Sequence, residues 1–462
     1  MKIKSLLVLS LIFTFICCSE KTDETGMNVF QAIEVKDNPD NILRKTISFN
    51  TTEKSSCSIS YWRNEDKSDM RTSRTSPAAK RHDIMLIMMK ENSTYHFQIT
   101  DDKQHRSETR EFRTGSLDKE MKEYFITDAE DKRDFLFGGF ILYANKTADY
   151  MLMIDNQAEI VWYERFAPDC CSAISYDAHT QTISFMHGKG ELKPCGSNLS
   201  CIDLYGNRLL EANIGNLTHN EMHHDLYRMQ DGNWIYTNFV HRDYDFSSLG
   251  LDEIKTVTGD RLTIINDKNE ILWEWTCFDH LDPLKDPNIL KVEKRPVIDD
   301  WMHTNSIVED KEGNIYISCN KMKQFMKIDR KTGNVIYRLG YNGNIDIEDS
   351  VKPDRLHSLE ILENGEIMLF ENGDRDREYS RVLSYRVDEK NRKAEALTCI
   401  MLPLHLRSHY NSNAYRLDEN HLIVHSTANQ NTAIMDRQGK ILWTSSQKGL
   451  SFRAIYIPDG QF

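Results

Sequence analysis

The segment HSLEILENGEIMLF, residues 357–370, alternates apolar and polar residues, turns at Asn-Gly and leaves on a second alternating run. The segment HHDLYRMQDGNWIY, residues 223–236, has the same arrangement around Asp-Gly. Alternation with a period of two on both sides of a glycine turn predicts a β-hairpin with one buried face. The same hairpin, beginning with histidine, therefore occurs in two distant parts of the chain.

Related units recur through most of the sequence. Further hairpins read HTQTISFMHG, EGNIYISCN and ENHLIVHS, and each unit continues with a second piece such as DNQAEIVWYE, NDKNEILWEW or DRQGKILWTS. Six units of roughly fifty residues, each long enough for four short strands, predict a six-bladed β-propeller over residues 124–462. The final SFRAIYIP is predicted to close the ring by adding a strand to the first blade. Two stacked sandwiches are the alternative.

Residues 28–117 contain short alternating runs separated by polar turns, among them TISFNTT, CSISYW and TYHFQITD. Strands at this spacing predict a small β-sandwich of the fibronectin type III kind. We therefore expect an all-β protein in which this sandwich precedes the propeller.

The N-terminus has the features of a lipoprotein signal peptide. Residues 1–17 combine a basic start with an apolar run that is too short to span a bilayer as a helix. Cys18 is the expected lipidation site, and residues 18–27 form a tether. We expect an exported lipoprotein of the periplasm or outer membrane, with the cell surface left open and lipid as its only membrane contact. An ordinary secretory peptide or uncleaved anchor is the alternative.

The net charge and the cysteines indicate which ligands and which covalent links to expect. The formal net charge is −13 at pH 7, which argues against nucleic acid because phosphate binding needs clustered cations. Export exposes cysteines to oxidising conditions, and Cys195 and Cys201 flank a short polar loop, which predicts a disulfide. No His/Cys spacing indicates zinc, so we predict no metal site.

Histidines recur at one position relative to the turns. His224 and His357 each stand eight residues before the turn glycine, and Ser412 stands eight before the residue that replaces it, Asn420. His303 stands ten before its glycine, which we ascribe to a longer turn. In a propeller these positions converge on the central channel. Each histidine alone could instead be a strand-end residue bonded to the backbone.

A cluster of imidazoles suits two chemistries. Three histidines can bind a metal ion. They can equally hold a compact oxyanion, with one imidazole acting as nucleophile and the others as proton donors.

Four motifs resemble the bacterial arylsulfate sulfotransferases: DWMHTNSIVED, FMKIDRKTGNVIYRLG, DRLHSLEILENGEIMLFENGD and YSRVLSYRVDE. The resemblance covers nearly the whole chain, since that family also carries a small β-sandwich before a six-bladed propeller. It implies that a sulfuryl group passes from a phenolic sulfate ester to a histidine and then to an acceptor phenol. No cofactor or nucleotide sulfate donor is implied, and a homodimer is suggested.

By motif position, the resemblance makes His357 the nucleophile, while His303 and His224 hold sulfate oxygens and shuttle a proton. Asn305 would donate a hydrogen bond and Ser412 would supply a hydroxyl. The remaining candidates for contact with substrate are Asn320, Arg381, Trp301 and Tyr410, with Trp234 more suited to the core.

The chain departs from the family at one position. The family has a sulfate-binding arginine on the strand after the DWxH motif, and Asn320 stands there. Strand alternation points its neighbour Lys321 to the opposite face. Other cations could supply the charge: Lys323, Arg375, Arg377, Arg381 or Arg407. Arg381 could instead form a salt bridge between blades.

Two other functions stay open. A propeller without the arginine could bind a sulfated ligand or glycan without turning it over. The ring of histidines could also belong to a metal-dependent hydrolase.

Overall fold

The computed structural model describes residues 29–126, 131–145, 150–165, 173–188, 195–215, 222–251, 253–289, 300–373 and 377–460. The signal peptide, the tether and the lipidation site at Cys18 lie outside these residues, as does Arg375. No helix in the described part of the chain is long and apolar enough to cross a membrane.

The first domain is a two-sheet β-sandwich, as the sequence predicts. One sheet has the order β1-β2-β5 and the other β4-β3-β6-β7. Alternation along β6 buries Tyr95, Phe97 and Ile99 between the sheets. The strands are β1 (Phe30–Asp37), β2 (Lys45–Ser55), β3 (Cys57–Trp62), β4 (Arg71–Thr72), β5 (Ala79–Leu86), β6 (Thr94–Asp101) and β7 (Arg110–Arg113).

A one-turn helix, α1 (Lys119–Lys122), and a short strand, β8 (Phe125–Ile126), lead into six antiparallel sheets in the described part of the chain. The first three comprise β9 (Phe140–Asn145), β10 (Tyr150–Ile154) and β11 (Ile160–Arg165); β12 (Ala173–Asp177), β13 (Thr182–His187), β15 (Asn198–Asp203) and β16 (Arg208–Asn213); and β14 (Cys195–Gly196), β17 (Met222–Arg228), β18 (Trp234–Asp245), β19 (Ile254–Ile265) and β20 (Ile271–Thr276).

The last three sheets repeat the plan. They comprise β21 (Thr304–Glu309), β22 (Ile315–Cys319), β23 (Gln324–Ile328) and β24 (Val335–Gly340); β25 (Leu356–Ile361), β26 (Ile367–Glu371), β27 (Arg381–Asp388) and β28 (Lys393–Met401); and β29 (Asn413–Arg416), β30 (His421–Ser426), β31 (Asn431–Asp436) and β32 (Ile441–Gln447), with β8 on its outer edge. Short 3-10 helices occupy Ser247–Leu249, Cys277–Asp279, Pro283–Lys285, Asp349–Val351 and Leu404–Leu406.

The final strand closes the ring. β33 (Ser451–Ile457) pairs with β9 and completes the first sheet, so the prediction for SFRAIYIP is confirmed. The innermost strands β33, β12, β17, β21, β25 and β29 contact one another in that order and back to the start. The fold is therefore a six-bladed β-propeller.

A ring of polar side chains joins the inner strands around the axis. We call Asp225, Ser306, Ser358, Asn413 and Arg453 the inner ring. The first four accept hydrogen bonds from backbone amides of the next inner strand, at Ile307, Leu359, Ala414 and Ala454, over 2.8, 2.8, 3.2 and 2.8 Å. The fifth, a buried guanidinium, crosses the axis to Asp225 Oδ1 at 2.7 Å. These contacts fix the register between blades.

The predicted disulfide is not formed. Cys201 is a free, fully buried thiol on β15, opposite Ser184 of β13. Cys195 lies on β14, which pairs with β17 of the next blade. The loop that looked suitable for closure in sequence thus leads from one blade to another, and the Cys201 side chain packs in the core.

Candidate active site

The predicted residues lie where the inner strands begin and the pairing register shifts. Bulges interrupt β17, β21 and β25 at this point, and bulges turn side chains away from regular alternation. Non-glycine residues with a positive φ accompany them: His224 (56°), His303 (55°), Arg355 (50°), Ser358 (48°), Asn411 (48°) and Ser412 (80°). Such strained residues persist where their surroundings hold them, and they concentrate at functional sites.

His224 and His303 meet directly. Their ring centroids are 4.3 Å apart and their planes are inclined by 64°. His224 is buried on β17, while His303 is half-buried just before β21. Two imidazoles from neighbouring blades therefore share one place, as the predicted convergence on the channel requires.

A carboxylate and an ammonium group flank His303. Its Nδ1 lies 2.5 Å from Asp300 Oδ2, and Lys321 Nζ lies 3.1 Å from the same oxygen. Burial alone would raise the pKa of Asp300, but His303 and Lys321 outweigh it and lower that pKa well below its usual range. The His303 ring therefore lies against an ionised carboxylate.

An amide, in contrast, flanks His357. Asn372 Nδ2 donates to the backbone oxygens of Ser408 (3.0 Å) and Asn411 (3.2 Å), which fixes the orientation of its amide. Its Oδ1 therefore faces His357 Nδ1, and the two atoms are in short contact. Only a proton on Nδ1 makes this contact a hydrogen bond, so the lone pair of neutral His357 lies on Nε2.

Asn320 connects the two histidine segments. Its backbone N–H donates to His303 O (3.1 Å), and its Nδ2 donates to Leu356 O (3.2 Å) and lies 3.4 Å from His357 Nδ1. The position that the resemblance assigns to a sulfate-binding arginine thus holds an amide in contact with the candidate nucleophile.

A profile of the arylsulfotransferase family, described as Arylsulfotransferase (ASST), matches residues 118–431. The chain belongs to the arylsulfotransferase family. Membership supports aryl sulfotransferase activity and small-molecule aryl donors and acceptors. No protein with curated annotation matches the chain.

Solved structures resemble the chain only weakly. A protein of unknown function from Bacteroides caccae is 13% identical, with a TM-score of 0.45 over 70% of this chain and 100% of that chain. A functionally unknown protein from Desulfotomaculum acetoxidans is 9% identical, with a TM-score of 0.41 over 79% and 96%. Virginiamycin B lyase from Staphylococcus aureus is 12% identical, with a TM-score of 0.34 over 63% and 72%.

The strand positions in this arylsulfotransferase correct one prediction from sequence, that His303 is the residue of the fourth blade equivalent to His224 and His357. The turn after β21 has the same hydrogen bonds as the turn after β17, so it is not longer. The residues that directly precede the first four inner-ring members are His224, Asn305, His357 and Ser412. Asn305, not His303, is thus the equivalent in the fourth blade, and His303 reaches the site from two residues earlier. Arg355 and Tyr410 occupy that earlier position in the next two blades.

Asn305 and Ser412 use their polar atoms within the protein. Asn305 Nδ2 donates to Leu356 O (2.9 Å) and its Oδ1 accepts from Ser318 Oγ (2.5 Å). Ser412 Oγ donates to Tyr410 O (3.1 Å) and accepts from the backbone N–H of Thr427 (3.0 Å). Both side chains are buried. Their predicted role as sulfate ligands is therefore corrected to one of positioning the inner strands.

Arg381 and Trp301 are also structural. Arg381 forms a buried ion pair with Glu371 and donates to Ser350 O (2.7 Å), so its charge is used inside the fifth blade. Trp301 is 1% exposed, stacks on Phe278 and donates to Asp286 Oδ2 (2.8 Å). The predictions that Arg381 binds sulfate and that Trp301 lines the phenol site are wrong.

The two other aromatic candidates differ. Trp234 is buried and donates to Ser184 Oγ (2.9 Å), which confirms the core role that the sequence favoured. Tyr410 is half-buried beside His409, with ring centroids 4.7 Å apart, and burial raises the pKa of its phenol. Tyr410 remains a candidate wall for an aryl group.

Lys321 lies at the site despite the expected alternation. β22 ends at Cys319, and Asn320 to Lys323 form a turn rather than strand, so the rule of opposite faces does not apply. Lys323 points away to Asp354 at 3.0 Å. Lys321 thus places a cation beside Asp300, the carboxylate that contacts His303.

Sequence reasoning missed Asp300 and Asn372. Both stand inside quoted motifs, but only the fold shows that Asp300 contacts His303 within the same segment and that Asn372, just after β26, contacts His357 on β25. Among the described residues, no group of three His, Cys, Asp or Glu side chains is arranged to hold a metal ion.

Proposed function

We propose that this arylsulfotransferase moves a sulfuryl group from a phenolic sulfate ester to an acceptor phenol through a covalent intermediate on His357. One observation carries the proposal: Nδ1 of the candidate nucleophile His357 contacts the amide oxygen of Asn372, whereas Nδ1 of His303 contacts the carboxylate of Asp300. An amide leaves imidazole neutral, with a lone pair to attack sulfur. A carboxylate beside His303 instead offsets positive charge that develops on that ring during proton transfer.

In the first half-reaction, His357 Nε2 attacks sulfur and the bond between sulfur and the phenolic oxygen breaks. The phenolic oxygen leaves with that bond's electron pair and takes a proton from a neighbouring imidazolium. His357 becomes an N-sulfo imidazolium that keeps its Nδ1 proton on Asn372. The positive charge makes the ring a good leaving group for the second step.

The sulfate oxygens need positive charge in a protein that is acidic overall. Lys321 provides it locally, and Asp300 orients both Lys321 and His303. Each preorganised donor to oxygens that gain charge in the transition state contributes about 3 kcal/mol. A lysine supplies this charge without the bidentate geometry of arginine.

The second half-reaction reverses the first with a new phenol. The neutral imidazole left by the first step takes the proton of the acceptor, whose oxygen attacks sulfur and displaces His357. Donor and acceptor thus occupy the same place in turn, which is a ping-pong scheme.

The test is steady-state turnover of a chromogenic aryl sulfate with increasing acceptor phenol. We expect parallel double-reciprocal lines, faster release as phenol rises, and no release by His357→Ala. Release that is lost with a chelator would point to a metal-dependent hydrolase. His425→Gln is the matched control, since His425 is a buried histidine of the sixth blade, bonded to Thr432 and to the backbone oxygen of Ser451 at the start of β33.

Asn320 favours a second candidate function. Because it stands where the resemblance implies arginine, the site could hold a sulfated ligand or glycan without transfer. Calorimetry would then show binding of the aryl sulfate, with no phenol released.

We also propose that the protein is an exported lipoprotein anchored through Cys18. The composition of residues 1–18 supports this. Metabolic labelling with an alkyne fatty acid should mark the protein, and Cys18→Ala should abolish the label.

A further inference from the structure

A second histidine and a second carboxylate lie directly behind His224. The Nδ1 atoms of His223 and His224 are 3.0 Å apart, and His223 Nε2 lies 3.4 Å from Asp260 Oδ1. His223 and Asp260 are each at most 1% exposed. Neither the catalytic scheme above nor the family motifs use these two residues.

We propose that Asp260 and His223 are positioning residues that hold His224 as the proton donor to the leaving phenol; this rests on the proposed function. Between two Nδ1 atoms at hydrogen-bonding distance there is room for one proton. An ionised Asp260 places the proton of His223 on Nε2, which leaves His223 Nδ1 as an acceptor. His224 must then carry the shared proton on its own Nδ1.

The surroundings hold this arrangement rigidly. Asp260 Oδ2 accepts from the backbone N–H of Thr304 (2.6 Å), so the carboxylate is tied to the residue after His303. Phe239 stacks on the His223 ring, with centroids 4.1 Å apart and planes inclined by 20°. Within the described residues, His223 Nε2 and Asp260 Oδ1 are both buried without a hydrogen bond, and their separation of 3.4 Å is that of an ion pair. The interaction between these two side chains is therefore electrostatic.

The chemical consequence concerns the other nitrogen of His224. With Nδ1–H directed to His223, a second proton on Nε2 makes His224 an imidazolium whose charge is offset by Asp260 through the intervening ring. As the phenolic oxygen leaves sulfur with its electron pair, the Nε2 proton passes to that oxygen. The N–H electron pair stays on His224, which becomes neutral and later accepts the proton of the acceptor phenol.

Other charged and titratable groups also face this pair. His303 and Asp300 approach from the segment before β21, and Asp225 follows His224 on β17 but is paired with Arg453. Asp300 is already shared by His303 and Lys321. Asp260 is thus the carboxylate that serves the His224 side of the site.

The test compares two donors with the full-length enzyme. Phenyl sulfate needs a proton at its leaving oxygen, whereas 4-nitrophenyl sulfate releases a stable phenolate. In His223→Gln and Asp260→Asn we expect sulfation of the enzyme by phenyl sulfate to slow by roughly 30-fold or more, and that by 4-nitrophenyl sulfate by less than about threefold, since general acids contribute about 10²–10⁴-fold. His425→Gln should affect neither donor.

A pH profile gives an independent readout. Loss of Asp260 removes the charge that stabilises the His224 imidazolium, so the alkaline limb of kcat/KM for phenyl sulfate should move to lower pH in Asp260→Asn. Equal losses on both donors, or an unmoved limb, would overturn the relay. The proposed function is separate: wild-type enzyme that forms no adduct with 4-nitrophenyl sulfate would contradict it, whatever the donor ratio.

Discussion

Substitution of Asn372, whose amide oxygen contacts His357 Nδ1, tests the proposed role of His357 as nucleophile. In Asn372→Ala, Nδ1 of His357 loses its hydrogen-bond acceptor, so the ring can carry its proton on Nε2 instead. In that tautomer Nε2 has no lone pair with which to attack sulfur. The hydrogen bond also strengthens during reaction, because the ring gains positive charge as it attacks sulfur. Both effects slow sulfation of the enzyme.

The size of the effect follows from these contacts. A hydrogen bond between neutral groups contributes about 0.5–1.5 kcal/mol and one to a charged group about 1.5–3 kcal/mol, so their difference of about 1–1.5 kcal/mol slows the step about five- to twelvefold. Loss of the fixed tautomer multiplies this by a factor of a few. We therefore expect a reduction of roughly 10- to 60-fold.

The assay is a single-turnover burst of phenol release from a chromogenic aryl sulfate, with thermal unfolding measured in parallel. His425→Gln is the matched control, because His425 is a buried histidine bonded to Thr432 and Ser451 rather than to Asn372 or His357. It should keep the wild-type burst. A folded Asn372→Ala with a burst rate within twofold of wild type would refute the reasoning, as would an equal loss in His425→Gln.

Three further predictions concern charge. Lys321→Ala should lower kcat/KM for the aryl sulfate at least tenfold, since about 3 kcal/mol of transition-state stabilisation is at risk, whereas Lys323→Ala should leave kcat/KM unchanged; equal effects would contradict the assignment. Burial raises the pKa of Glu360 to about 8, so the folded state binds its proton more tightly and the free energy of unfolding falls as pH rises from about 4.5 to 8, on the order of 5 kcal/mol; denaturant unfolding of Glu360→Gln should lack this fall. Arg453→Met leaves Asp225 buried without its partner and should cost about 3–5 kcal/mol in the same assay, and an intact stability would contradict the role of the inner ring.

The blade plan could be predicted from sequence because each hairpin carries its own turn and its own alternation. Residues 357–370 and 223–236 contain the whole local signal for two strands and their buried faces. The closing strand was also predictable, since SFRAIYIP is a single alternating run that follows six repeated units. His224 and His357 were found because the turn glycine fixes the register over eight residues.

The side chains that contact the histidines could not be predicted from the turns and the alternation. Asn372 reaches His357 across β25 and β26, and Asp260 reaches His223 from β19. These contacts depend on pairing register and on bulges, where regular alternation stops. The same limit explains the errors at Asn305 and Lys321, since one sits in a bulge and the other in a turn that alternation treats as strand.

Arg381 and Trp301 show a different limit. Both residue types suit a sulfate or phenol site, yet Glu371 neutralises the first and Phe278 covers the second. Whether a charge or a ring is available for substrate depends on its neighbours in the fold, which the motif does not encode.

The most direct measurement is mass spectrometry of the enzyme after brief exposure to an aryl sulfate without acceptor, quenched at alkaline pH and digested. We predict one SO3 group, carried by the peptide that contains His357 and removed when phenol is added. Turnover without any adduct, or an adduct on a peptide from another part of the chain, would contradict the covalent role of His357.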